Sequence, residues 1–324
     1  MCCCKLNRMK KTGIVALFFL IYAGLQTASA QYYFYDNSSL SSPVVFELGG
    51  SVGSMNCLTD IGGKQGLGKP FLKDLNFGKM KLSGGIFLSA SYNEAITLRL
   101  EGTWGGIRAY DSILADVKSS TNGRYERNLS FRSRISEISA IAEIHPLFLF
   151  VNWSYRDMDP PRISPYLLGG VGFFSFNPQA KNRDGKYVDL QPLSLEGQGF
   201  RSYPDRQPYK LSQINFPVGF GVRYELSGAF NLRAEVVHRI VNTDYLDDVS
   251  TRYIDPLLFS TEGGLSGNQL RDAIDLSSND RNNPGGPTGE FRKTSGGIRG
   301  NPKNNDSFFS INFKIGYNFG RQSR

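Results

Sequence analysis

The sequence predicts an all-β protein, an eight-stranded antiparallel up-and-down transmembrane β-barrel with long extracellular loops. Three observations predict it. Apolar and polar residues alternate with period 2 in eight separate segments, and the connections between those segments alternate short and long. The last segment is an aromatic-rich strand almost at the C-terminus of a chain that opens with an export signal.

The export signal comes first in the chain. Lys5 to Lys11 form a positive stretch, Gly13 to Leu25 an apolar run, and Ala28-Ser29-Ala30 places small residues ahead of Gln31. The run is short for a membrane span of about 20 residues. Residues 1–30 are therefore expected to be a cleaved signal peptide and 31–43 a short periplasmic segment. The outer-membrane barrel is expected over 44–319, with 320–324 as a tail. Cys2, Cys3 and Cys4 precede the apolar run, whereas a lipoprotein cysteine would follow it. Cys57 alone remains, which excludes an internal disulfide and a cysteine metal cluster. Four of the 37 basic residues (Lys5, Arg8, Lys10, Lys11) leave with the peptide, so 33 then face 29 acidic ones and the formal +8 becomes +4. No basic stripe appears, and nucleic acid is not an expected partner. With 40% hydrophobic and 13% aromatic residues the chain is too apolar for disorder.

Each strand is read from its alternation. In the first, Phe46, Leu48, Gly50 and Val52 oppose Glu47, Gly49, Ser51 and Gly53. The second runs from Leu82 to Tyr92, with Ile86, Leu88 and Ala90 on one face. In the third, Ile96, Leu98, Leu100 and Trp104 oppose Thr97, Arg99, Glu101 and Thr103. In the fourth, Ile138, Ala140, Ala142 and Ile144 oppose Glu137, Ser139 and Glu143. The fifth, Tyr166 to Phe176, is Gly-rich and leaves its facing open. The sixth sets Ile214, Phe216, Val218, Phe220, Val222 and Tyr224 against Asn215, Gly219, Gly221, Arg223 and Glu225. The seventh sets Phe230, Leu232, Ala234 and Val236 against Asn231, Arg233, Glu235 and Arg239. In the eighth, Phe309 to Phe319 alternates with Ser310, Asn312, Lys314, Gly316 and Asn318.

A soluble sandwich would solvate the charged faces. A narrow barrel would instead pair Arg99, Glu101, Arg223, Glu225, Arg233 and Glu235 inside its lumen while its outer face meets lipid. The connections favour the barrel. Asn93-Glu94 and Ser227-Gly228 read as tight hairpins, whereas 55–79, 106–128, 177–209 and 241–306 are long. The exception is 146–163, long where a short turn is expected. An even strand count places both mature ends in the periplasm.

Motifs that could carry chemistry are few. Gly63 to Lys69 matches the phosphate-loop spacing, but Pro70 stands where Ser or Thr must bind Mg²⁺, so no nucleotide is expected. The sequence holds only two histidines, His145 and His238, with no nucleophile elbow and no zinc-protease motif. His238 with Asp244, Asp247 and Asp248 is the one rim cluster, and a salt-bridged loop is the simpler reading of it. No catalytic residue, cofactor or metal is expected.

Two connections stand out. The run Thr243–Pro256 carries Asp244, Tyr245, Asp247, Asp248, Arg252, Tyr253 and Asp255; its acids miss the EF-hand spacing, so it reads as an ordered turn with Arg252 answering an aspartate. After it, 261–306 is rich in Gly, Asn, Ser and Asp, the composition of a mobile loop. The connection 146–163 offers Phe148, Phe150, Trp153, Tyr155 and Arg156. These read either as barrel wall and interfacial girdle or as a patch that docks a periplasmic partner.

A resemblance adds to this. Glu47-Leu48-Gly49-Gly50-Ser51-Val52-Gly53, Asn56-Cys57-Leu58-Thr59-Asp60, Ser164 to Gly172, Phe216 to Tyr224 and the Thr243–Pro256 run together resemble outer-membrane barrels of Bacteroidota, and especially the PorG-like group of the type IX secretion system. The resemblance spans nearly all of 44–319. It implies a non-enzymatic barrel that anchors a periplasmic secretion ring to the outer membrane, and it brings no catalytic residues. Outer-membrane lipid and periplasmic ring proteins are then the expected partners. The competing expectations are a narrow solute pore, for which inward Gly49, Gly53, Gly85, Gly219 and Gly221 would leave a thin path, and an adhesion or ligand-binding barrel acting through its external loops.

Overall fold

A computed structural model describes residues 44–61, 80–114, 127–151, 153, 160–278 and 296–319. The expected signal peptide, the 31–43 segment, the 63–70 loop motif and the tail lie outside these residues.

Nine strands form one sheet: β1 Val44–Leu58, β2 Lys81–Tyr92, β3 Ile96–Tyr110, β4 Ser130–Ile144, β5 Ile163–Lys181, β6 Tyr187–Asp189, β7 Ser212–Glu225, β8 Phe230–Val241 and β9 Ser307–Phe319. Eight of them close a ring. Each pairs antiparallel with its neighbour in sequence from β1 to β5, β5 pairs with β7, and β9 returns to β1 from Phe46↔Phe319 to Leu58↔Ser307. The short β6 folds back on the end of β5 and lies outside the ring. This is a closed eight-stranded up-and-down barrel, with no edge left unpaired around the ring.

The tight turns do what their residues demand. Asn93 (φ 48) and Glu94 (φ 54) are both left-handed between β2 and β3, as a two-residue hairpin with right-twisted strands requires. Asparagine tolerates that region; glutamate does not favour it, and its side chain has a partner that explains its presence below.

The alternation sorts side chains onto two surfaces. Leu48, Ile86, Leu98, Ile138, Phe220 and Phe313 stand exposed on the outside, while Glu47, Arg99, Glu143, Arg233, Glu235 and Lys314 are buried inside. No described helix is long and apolar enough to cross a membrane; here the strands do it. β5 resolves its open facing: Leu167, Val171 and Phe173 point out, Tyr166, Leu168, Phe174 and Phe176 in. Its apolar residues on both faces hid the period.

Several strands run on past the lipid-facing band, and there the pattern inverts. Met55, Ile107, Ala109, Phe131, Phe174, Phe176 and Phe308 fill the inside, and Arg132, Asn177 and Gln179 lie outside. These apolar ends join Leu190, Leu193, Leu195, Phe200, Leu246, Val249, Ile254, Phe259, Ala273 and Leu276 from the long connections in one apolar core. The long connections thus build a capping layer on the barrel. It includes helices α2 (Leu257–Thr261) and α3 (Gly267–Ser277), the latter within 261–306, where composition predicted only a mobile loop. Leu270, Ala273, Ile274 and Leu276 supply α3 with a buried stripe that the surrounding Gly, Asn and Ser obscured. The third short helix, α1 (Pro146–Leu149), sits at the opposite end, after β4.

Candidate functional site

Three places collect the sequence-predicted residues: the lumen, the cap and the short-connection face. In the lumen, facing positions on different strands meet because the barrel is narrow. Arg99 (β3) extends Nε to Glu101 at 3.0 Å, Nη1 to Glu143 on β4 and Nη2 to Glu235 on β8 at 3.1 Å. Arg233 (β8) bridges Glu143 at 2.5 Å and Glu47 on β1. Lys314 (β9) donates to both oxygens of Glu101 at 2.5 Å and reaches Glu235 at 2.7 Å. The Tyr166 hydroxyl donates to Glu235 at 3.0 Å. Further along, Arg239 pairs with Glu137 at 2.7 Å. Charges taken this far from water persist only when paired, and here Glu101, Glu143 and Glu235 are each shared by two cations while Glu47 and Glu137 have one each.

Of the six predicted lumen residues, Arg99, Glu101, Arg233 and Glu235 belong to this one network. Arg223 does not. It pairs with Glu94 at 2.9 Å, which accounts for the glutamate in the tight turn. Glu225 lines the barrel mouth with Val45, Glu94, Asn231 and Asn318. Glu47, Glu137, Glu143, Arg239 and Lys314 were missed as members, although each stands on a polar face of the same period; their alternation was the available signal.

Two of the inward glycines face aromatic rings across the lumen. A Cβ on Gly49 would lie 2.5 Å from the Phe87 ring, and one on Gly221 would lie 2.5 Å from Tyr166 Cζ. Glycine stands at these positions so that Phe87 and Tyr166 can fill the centre.

His145 is buried at the end of β4, with Nδ1 2.9 Å from Ser164 Oγ and Nε2 3.5 Å from Glu143. His238 is half-buried on the outward-facing side of β8. Asp247 and Asp248 of the cap are fully buried.

In the cap, the Thr243–Pro256 run is an ordered structural turn. Asp247 accepts from the Ile61 amide at 2.8 Å and the Val249 amide at 2.9 Å, and Asp248 accepts from the Tyr209 hydroxyl at 2.8 Å. Tyr245 stacks on Tyr209 with ring centroids 5.0 Å apart, Tyr253 is buried, and Asp255 accepts from the Leu257 amide at 2.9 Å. The expectation that Arg252 answers an aspartate is corrected: its guanidinium is exposed and donates to the Gly296 carbonyl at 2.6 Å. Arg299 takes that place, at 2.9 Å from Glu196 and with Nη1 2.5 Å from the Asp248 carbonyl oxygen. Burial is the leading cause that pushes Asp244 and Asp248 up to about 7 and Asp247 and Asp306 well above the usual carboxylate range. Among the described residues no group of three His, Cys, Asp or Glu is placed to hold a metal ion.

On the short-connection face, Phe150 is 80% exposed and Leu149 45% exposed, while Phe148 lies 5.6 Å below the Arg223 guanidinium. Trp153 donates its indole N–H to the Leu147 carbonyl at 3.0 Å. Tyr155 and Arg156 lie outside the described residues.

An apolar exterior, an ion-paired interior and closed antiparallel pairing define a transmembrane β-barrel. No family model matches the sequence, and no curated protein does. Among solved structures it is similar to the Neisserial surface protein A (NspA; 10% identity over 86% of this chain and 98% of that one, TM-score 0.34). It is also similar to the N-terminal β-barrel domain of Pseudomonas aeruginosa OprF (9%, 86% and 98%, 0.31). A third is the attachment invasion locus protein Ail of Yersinia pestis (9%, 85% and 97%, 0.32). The fold assignment rests on the strand pairings themselves.

Proposed function

We propose that this chain is a non-enzymatic, non-conducting outer-membrane barrel that acts as a structural anchor in a secretion machinery of the type IX kind, docking periplasmic proteins on its short-connection face. The observation that carries the non-conducting part is the lumen, where Arg99, Arg233, Lys314, Phe87 and Tyr166 occupy the axis with interlocked partners. A barrel that serves as an anchor acts through its surfaces. The docking part is supported by Leu149 and Phe150, large apolar groups exposed beside the barrel end. The secretion context rests on the sequence resemblance described above.

Two experiments test this. Purified barrel in planar bilayers is expected to give no steady single-channel conductance; a reproducible open level overturns the non-conducting reading. A photo-crosslinking residue at Phe150, introduced in cells, is expected to capture periplasmic lipoproteins of a secretion ring, and to lose them when Leu149 and Phe150 become Ser. Recovery of the barrel alone overturns the anchor. The ordered cap favours a second reading, a surface-ligand barrel. In that case trimming 261–306 abolishes binding, whereas it leaves an anchor unaffected.

A further inference from the structure

Outward-facing Arg on the barrel strands falls in one sector. β7 and β8 turn their Arg inward and β9 its Lys, but Arg108 on β3, Arg132 and Arg134 on β4 and Lys181 on β5 lie on the outer face. Arg108 and Arg132 are directly opposite in the β3–β4 register. Among the described residues no carboxylate stands within ion-pair distance of Arg132, Arg134 or Lys181. Asp189 on β6 accepts from Asn177 at 3.0 Å and Gln179 at 2.6 Å.

The patch is built. Arg132 donates Nε and Nη2 to the Gln179 side-chain oxygen at 3.2 and 3.1 Å, and its guanidinium lies 3.1 Å above the Tyr187 ring. Lys181 Nζ reaches the same ring at 5.5 Å. β6, the strand outside the ring, thus exists where it holds two cations in place. This spends side-chain freedom before any ligand arrives.

Its height is also specific. Arg134 stands ten positions from Ile144 along β4. At a rise of about 3.3 Å and a tilt of about 40°, that is ~25 Å along the barrel axis, the height of a lipid-facing apolar band. The exposed apolar residues Ile138, Phe173 and Trp104 lie just below. The cations therefore meet the membrane at headgroup level, at the end bearing the long connections.

We infer that Arg132, Arg134 and Lys181 form a binding site for the phosphate of a lipid headgroup in the leaflet at the long-connection end. Acyl chains of that lipid would lie along the apolar wall of β3 to β5, and its phosphate would sit among the three cations, as polybasic surfaces hold anionic lipid.

The test uses the full-length barrel in neutral-detergent micelles, titrated with diphosphoryl lipid A and followed by native mass spectrometry. Wild type is expected to retain the lipid, and Arg132→Gln with Arg134→Gln to weaken retention roughly thirtyfold at the usual contribution of a surface basic residue. Wild type is also expected to lose retention when the same lipid is dephosphorylated, which keeps the site falsifiable if the variant folds poorly. Equal retention of the dephosphorylated lipid, an unchanged variant, or full competition by an equal concentration of inorganic phosphate each overturns it. A Lys303→Gln control, on an exposed loop, is expected to bind as wild type.

Discussion

The barrel proper and its cap solve the same packing problem with opposite chemistry. In the membrane-spanning part the core is ionic and the exterior apolar: Arg99, Arg233 and Lys314 are buried while Leu98, Leu232 and Phe313 face out. A few residues further along the same strands, the core is apolar and the exterior polar, with Ile107, Phe131 and Phe176 inside. The solvent outside dictates the difference. Lipid takes up apolar side chains without cost, so the polar residues must satisfy one another within; water restores the ordinary arrangement. One strand can therefore carry two inverted patterns, and the point where they switch marks the membrane boundary.

If the lumen network is the true core of the spanning part, breaking it has the largest effect. Arg99→Met removes the cation shared by Glu101, Glu143 and Glu235 and leaves buried carboxylates short of a partner. The loss is expected to be about 3–5 kcal/mol. Urea unfolding from lipid vesicles, followed by gel mobility of unheated samples, measures it. A loss below about 1 kcal/mol would show that the network is decoration and that strand pairing alone holds the barrel. Adding Glu143→Gln to the variant is expected to restore part of the loss, since it removes one of the stranded charges.

A smaller and more local effect is expected in the cap. Phe259, fully buried on α2, meets Phe200 edge-on with centroids 6.4 Å apart. Phe259→Ala leaves a cavity worth about 3–5 kcal/mol to a core, but here the loss falls on the cap alone. Limited proteolysis of the variant is expected to cut the long connections while the barrel keeps its unheated gel mobility. Unfolding of both together would merge the two regions into one cooperative unit and remove the contrast.

The sequence made the spanning part legible because lipid on one side forces a strict period of 2. Every outward residue from Ile96 to Trp104 and from Ile214 to Tyr224 declares its face. β5 was ambiguous because Phe174 and Phe176 already belong to the cap while Phe173 still faces lipid. The lumen pairs were half legible: alternation puts Glu143 and Lys314 inside, but which cation meets which acid depends on ring closure and shear, which no local pattern encodes. The cap was least legible. Its core joins Ile61, Leu129, Leu193, Leu246 and Leu276 from separate connections rich in Gly, Asn and Ser, with no period long enough to detect. That Arg299 rather than Arg252 serves Asp248 follows from the same long-range closure.

The smallest expected effect is a slope, and it sharpens the contrast by concerning the cap only. Asp248 is fully buried, and burial pushes it up to about 7 although Arg299 and the Tyr209 hydroxyl draw it down and Glu196 adds to the rise. Asp244 is likewise held at about 7, with Asp60 and Glu196 adding to burial and Ser250 opposing it; Asp247 and Asp306 rise in the same direction beside Asp60 and, for Asp247, against Arg127. An unfolded aspartate titrates near 3.9, so from about pH 4 to about pH 7 the folded cap binds more protons than the unfolded one. Cap stability is therefore complete below about pH 4 and declines as pH climbs through 7, by at most about 1.4 kcal/mol per pH unit for each proton linked. Hydrogen exchange of the cap amides Ile61, Leu246 and Val249, referenced to barrel strands, is expected to speed up across that window beyond the intrinsic pH effect. Asp248→Asn keeps an acceptor for Tyr209 while removing one titrating group, and its slope should be shallower. Cap protection that instead grows from pH 4 to pH 7 would mean that these carboxylates are ionised and paired in the fold, which would make the cap core as ionic as the lumen.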